Sequence, residues 1–137
     1  AVVMGRTTYD MSSGDYTGYE FQVPLFIVTH KAPATKAKGE NDKLSINFVT
    51  DGLKSVIEKA RTAAGDKDVV IVGGTNVIQQ CLKAGLIDEL QISISPVLLG
   101  DGLRLFENME NEHIQLEKVK VVEWPGSITE IRFRVLK

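Results

Sequence analysis

Val69–Val70–Ile71–Val72–Gly73–Gly74–Thr75–Asn76–Val77–Ile78 sends an apolar, β-branched run into two glycines and then straight into the start of an amphipathic helix. Glycine removes the side chains that would hold a ligand away from the backbone. The first turn of the helix adds free N–H groups and the positive end of its dipole. Such a junction suits a phosphate group without any lysine, although a tight strand-to-helix turn with no ligand uses the same residues. A second junction of this design lies upstream, in Val2–Val3–Met4–Gly5–Arg6–Thr7–Thr8–Tyr9, now with a guanidinium and two hydroxyls. Two such junctions in one chain are more specific to a ligand than either alone.

Working outward, periodicity predicts a strand at 1–4, a short helix from about Thr7 to Ser13, and a polar loop containing glycine and tyrosine as far as Val23. A strand follows at Leu25–His30, then a lysine-rich loop from Lys31 to Lys43, most simply a solvated connection. Ser45–Thr50 reads as a strand, and Thr50 or Asp51 as the cap of a helix that places Leu53, Val56, Ile57 and Ala60 on one face and ends at Gly65. Asp68–Val72 suits a central strand covered on both faces. The helix after Gly74 carries Val77, Ile78, Cys81 and Leu82 at helical spacing and stops at Gly85. Glu89–Ser95 alternates apolar and polar residues as a half-buried strand does, and Pro96 ends it. Gly100–Asp101–Gly102 is a tight turn. Ile114–Trp124 and Ile128–Leu136 are long strands whose Pro125–Gly126–Ser127 linker predicts an antiparallel hairpin. The expected fold is α/β, a mixed, mostly parallel sheet flanked by helices with a C-terminal antiparallel hairpin. No internal repeat, low-complexity segment or linker divides the chain, so residues 1–137 are expected to form a single domain.

Composition narrows the function. The chain has 137 residues, 43% of them hydrophobic, enough to fill one core. A formal charge of −2 offers no basic face for a nucleic-acid backbone. No apolar run approaches the roughly 20 residues of a membrane-spanning helix, so a cytoplasmic protein is the default expectation. Cys81 is the single cysteine, which leaves no internal disulfide and no thiolate metal cluster, and on its helix it reads as packing rather than as a nucleophile. No metal site is expected. Ala1 enters an apolar strand at once. Either an initiating methionine has been removed or the natural protein begins earlier, and we expect the latter.

In a sheet of this kind ligands gather beyond the carboxyl ends of the strands. Three strand ends carry suitable chemistry: Gly5–Arg6–Thr7–Thr8, Thr29–His30–Lys31, and Gly73–Gly74–Thr75–Asn76–Val77. If they converge, they form a site for an anionic ligand with more than one phosphate.

These segments, taken with Ile27–Val28 before Thr29, Ile71–Val72 before Gly73, and Asp88–Glu89–Leu90 leading to Pro96–Val97–Leu98–Leu99–Gly100–Asp101–Gly102, resemble the dihydrofolate-reductase-like superfamily. In particular they resemble the riboflavin-biosynthesis reductase domain, the C-terminal half of a bifunctional deaminase-reductase. The resemblance covers essentially the whole chain. It implies NADPH as cofactor, with Gly5, Arg6, Thr7 and Thr8 at its phosphates and Arg6 suited to the adenosine 2′-phosphate. It implies that Thr29, His30 and Lys31 lie beside that phosphate and the adenine. It also implies that Gly73, Gly74, Thr75, Asn76 and Val77 form the turn at the pyrophosphate and toward the nicotinamide, with a cis bond between the two glycines. The resemblance further implies a homodimer, and apolar Val119, Val121, Ile131, Phe133 and Val135 on the last two strands offer an edge that a symmetric partner could cover.

The family carries a strand and helix before the segment that begins here, which supply much of the substrate pocket. The chain is therefore expected to hold most of the cofactor site, and no catalytic residue is assigned. Two histidines and one cysteine cannot form the zinc pattern of a deaminase. The leading expectation is hydride transfer from NADPH to a small heterocyclic or ribosylamino-pyrimidine substrate, as in 5-amino-6-(5-phosphoribosylamino)uracil reductase. The alternative is a non-catalytic nucleotide-binding module of the same fold, and a purely structural α/β domain is a third reading. Lys31 also reads as a solvated loop residue, His30 shares that ambiguity, and His113, beside the acidic run Glu107–Glu112, reads as a surface residue.

Overall fold

The computed structural model describes residues 1–110 and 113–137, so the last two positions of the acidic run 107–112 lie outside the described residues. The backbone divides into two compact units, Ala1–Gln80 and Cys81–Lys137.

The first unit is built on a parallel sheet. Its strands are β1 (Val2–Gly5), β2 (Leu25–Val28), β3 (Ile46–Val49) and β4 (Val70–Gly73), in the order β3-β2-β1-β4. Parallel strands need crossover connections, supplied here by α1 (Arg6–Asp10) with the long loop after it, and by α2 (Leu53–Ala64). The sheet runs in simple register from β3 to β1, with Val2 opposite Leu25 and Leu25 opposite Ile46. Between β1 and β4 the register slips by one residue, so that Val3 faces Ile71 but Met4 faces Gly73. That irregularity absorbs Val72 and brings the double glycine level with the end of β1.

One apolar cluster joins Val2, Met4, Leu25, Ile27 and Ile46 to Tyr9, Tyr16, Ala37 and Leu44. The stretch read as a polar loop therefore supplies core. Tyr9 and Tyr16 stack with ring centroids 5.6 Å apart, and Phe48 meets Tyr9 edge-on at 5.2 Å. Their hydroxyls are satisfied: Tyr16 Oη donates to the Tyr9 carbonyl at 3.2 Å, and Tyr9 Oη accepts from the Ala37 amide at 2.8 Å. α2 lies against β1 and β2 and buries Val56, Ile57 and Ala60, three of the four residues expected on its inner face.

Several expectations are corrected. The first helix spans only Arg6–Asp10, because Ser13 and Gly14 adopt positive φ and turn the chain out of it. Gly52, with φ 103°, occupies the start of α2 in place of a side-chain cap from Thr50 or Asp51. The expected central strand is an edge: among the described residues β4 pairs with β1 alone, and Val70 is exposed. β1 and β2 hold the central places instead, and they carry the fully buried Val2, Val3, Leu25 and Ile27.

The second unit contains an antiparallel sheet of β5 (Glu89–Ile94), β6 (Leu116–Trp124) and β7 (Ile128–Val135), in the order β5-β7-β6. The predicted hairpin joins β6 to β7, turning through Gly126 and Ser127 at positive φ. β5 adds to it along β7, so the antiparallel part forms a sheet of its own. One face sets Leu90, Ile92 and Ile94 beside Phe133, Ile131 and Thr129. The other carries Glu130, a buried carboxylate paired with Arg132 Nε at 3.0 Å. A helix, α3 (Thr75–Lys83), runs from the end of the first unit into the start of the second, and Gly85 closes it at φ 67°.

Candidate functional site

The two glycine junctions meet. β1 and β4 are neighbours in the parallel sheet, so their carboxyl ends deliver Gly5 and Gly73–Gly74 side by side. A Cβ built on Gly5 would lie 3.7 Å from the Gly74 Cα, and one on Gly74 would lie 3.5 Å from the Gly5 backbone. A Cβ on Gly73 would fall 2.7 Å from Thr8 Oγ1 and 2.9 Å from Thr8 Cγ2. Gly73 is thus held to glycine by the packing of one junction on the other, while Gly5 and Gly74 meet at ordinary contact distance. Gly74 makes its turn at φ 87°, and among the described residues every peptide bond is trans, so the expected cis bond at Gly73–Gly74 is absent. Positive φ at a glycine achieves the reversal without it.

α3 starts immediately after this turn. Its ladder begins with the Ile78 amide donating to the Gly74 carbonyl at 3.0 Å, so the amides of Thr75, Asn76 and Val77 precede the first intrahelical bond. Val77 is buried against Gly5 and Gly74, Thr75 is partly covered, and Asn76 is exposed with its side chain bonded to Gln80.

The third strand end joins through Arg6. The guanidinium donates from Nη1 to the Lys31 carbonyl at 2.8 Å and to Thr29 Oγ1 at 3.4 Å, while Thr29 Oγ1 donates to the same carbonyl at 3.0 Å. Its Nε pairs with Asp10 Oδ1 at 3.0 Å, one helical turn on. Those bonds run through Nε and Nη1, and the two N–H groups of Nη2 take no part in them. Arg6 therefore ties the end of β1 to the end of β2 and leaves Nη2 outside those bonds. What the third strand end gives to this cluster is a carbonyl and a hydroxyl; the side chains of His30 and Lys31 are exposed, as is Thr7.

The donor set fits a phosphorylated dinucleotide in kind: free amides at a helix start, glycines that let a ligand approach the backbone, and a half-exposed guanidinium. One residue missing from the sequence reading belongs to the group. Asp10 sits four residues after Arg6, the spacing of helical ion pairs, and its carboxylate brings negative charge to the cluster.

Comparison with known proteins decides the family. The model of the RibD C-terminal domain matches residues 2–128. The chain belongs to the RibD C-terminal domain family. Its relatives include YyaP of Bacillus subtilis (strain 168), itself uncharacterized, which is 30% identical over 97 residues, or 71% of this chain and 50% of that protein. The chain thus spans half the length of this curated relative. Among solved structures, one from Shewanella sp. PV-4 assigned to riboflavin biosynthesis is 26% identical, with a TM-score of 0.76, covering 99% of this chain and 73% of that one. The diaminohydroxyphosphoribosylaminopyrimidine deaminase/5-amino-6-(5-phosphoribosylamino)uracil reductase of Thermotoga maritima shares the fold at 15% identity, with a TM-score of 0.66, over 98% of this chain and 45% of that one. This RibD C-terminal domain therefore has a reductase-type fold, in which a parallel sheet with flanking helices carries the three strand ends.

The second unit offers a different cavity. An open cleft of about 200 Å³ is lined by Leu82, Leu90, Phe106, Met109, Ile114 and Leu116. Its lining is apolar and gives a phosphate nothing to bind. Cys81 is buried, and burial pushes its thiol up to about 11, which suits packing. His113 is exposed. No described helix is long and apolar enough to cross a membrane.

Proposed function

We propose that this chain is an NADPH-dependent reductase of the riboflavin-biosynthesis and dihydrofolate reductase type, delivering hydride to a small heterocyclic or ribosylamino-pyrimidine substrate. The supporting observation is the contact of Gly5 and Thr8 with Gly73–Gly74, together with Arg6 tied to Thr29 and Lys31. In this reading the amides of Thr75, Asn76 and Val77 receive the pyrophosphate. Arg6 Nη2 receives the adenosine 2′-phosphate, and His30 and Lys31 flank the adenosine. The nicotinamide, when bound, supplies the hydride, and the protein holds and shields it. We also propose a cytoplasmic location and a homodimer. The dimer reading is supported by exposed Ile94 and Val121 on one face of the antiparallel sheet and by β6 at its edge.

The alternative is a nucleotide-binding module without catalysis. Its support is that, among the described residues of the first unit, no carboxylate is buried as a proton donor would be. One set of measurements separates the readings. NADPH should raise the melting temperature of the protein more than NADH does, and Arg6→Ala should erase that difference. Equal shifts in the native protein would remove the phosphate role of Arg6. Oxidation of NADPH on addition of dihydrofolate or a ribosylamino-pyrimidinone would establish catalysis, and binding without turnover of either would favour the module.

A further inference from the structure

We propose that Asp10 sets how strongly this site discriminates a phosphorylated from an unphosphorylated adenosine, by holding a negative charge against the one guanidinium that would read the phosphate. The inference rests on the NADPH reading above and adds to it a residue that opposes the preferred ligand. Arg6 has five N–H groups. Asp10 Oδ1 takes the one on Nε at 3.0 Å, while the Lys31 carbonyl at 2.8 Å and Thr29 Oγ1 at 3.4 Å take Nη1. A phosphate reaching Arg6 is left with Nη2, and it arrives beside a carboxylate that already neutralises the cation. The pairing is not needed to aim the guanidinium, because the Nη1 bonds to the end of β2 hold it independently. Nor does the fold lean on it: the Arg6 and Asp10 side chains are 36% and 56% exposed, and an exposed pair at this spacing contributes little to stability. What Asp10 changes is charge. A dianion is repelled by it, whereas an uncharged ribose hydroxyl is not.

The test uses adenosine 2′,5′-bisphosphate and adenosine 5′-monophosphate as probes, titrated calorimetrically into the native protein and into Asp10→Asn. The variant should bind the bisphosphate about threefold more tightly at low salt, the scale of one surface charge acting on a dianion through water, with the gain shrinking as salt is added. Affinity for the monophosphate should stay unchanged, and so should the melting temperature. A ratio of affinities that stays the same or falls in Asp10→Asn would overturn the proposal. Binding of both probes by the native protein would meanwhile leave the nucleotide reading standing. Failure of the native protein to bind either probe would overturn both.

Discussion

At the scale of single residues, the glycines of the site are explained by what touches them. Gly73 faces Thr8 so closely that Gly73→Ala should cost roughly 1–3 kcal/mol through overpacking. Thr8→Ala removes the two atoms at 2.7 and 2.9 Å and should restore part of that loss, a coupling that a double-mutant cycle by urea denaturation would reveal. If the two changes simply add, the contact does not explain the glycine. Gly39 is more constrained still. With φ 114° and backbone atoms of Tyr16 and Thr17 within 2.6 Å of a would-be Cβ, Gly39→Ala should lower stability by ~3 kcal/mol, readable in the same assay. Cys81 is the opposite case. Raised to about 11, its thiol carries almost no thiolate at neutral pH, so iodoacetamide should label it only as the protein unfolds. The sequence made both glycine junctions visible but not Gly39, whose role depends on a backbone more than twenty residues away.

At the scale of elements, legibility followed local pattern. The β-branched run at 70–72, the alternation of Leu90, Ile92 and Ile94, and the Pro125–Gly126–Ser127 turn each have a period or a turn chemistry of their own, and each appears as expected. What local pattern could not carry was the neighbour of each strand. A run of valines suits an edge as well as a centre, so β4 was misplaced. Tyr16, Tyr19 and Phe21 lack any period and passed for a loop, although with Tyr9 they make four aromatics within thirteen residues, the available sign of a second core layer. The Arg6 and Asp10 pairing was also missed, since the helix was read as starting after Arg6. Among the described residues β6 has an unpaired side, and it exposes Val121 on the same face as Ile94 of β5. If a second copy covers that face, Val121→Glu should convert a dimer to a monomer in light scattering, with the far-ultraviolet circular dichroism unchanged. A native protein that is already monomeric would remove the dimer from the proposed function.

At the scale of the whole molecule, acid should loosen the fold through three exposed carboxylates. Glu40 is held below its ordinary value of 4.5 by the Ile46 amide at 2.8 Å and by Lys36. Asp15 is held below 3.8 chiefly by Thr17, and Asp51 below 3.8 chiefly by the Ser55 hydroxyl. Because the native values are the lower ones, their stabilisation is complete above the unfolded values and is lost as pH falls through the native ones. The melting temperature should therefore decline below about pH 4.5, and Glu40→Gln should flatten the start of that decline. The order of the parallel sheet has a further outcome. β1 is zipped on one side to β2, which carries fully buried residues, and on the other to β4, whose Val70 is open to solvent. Partial opening should peel β4 away first and carry Gly73 and Gly74 with it while the tyrosine layer stays closed. In deuterium exchange the amides of 70–72 should then trade protons well ahead of those of 25–27. A bound nucleotide should slow the former most, acting as a clasp on the least secured seam of the sheet.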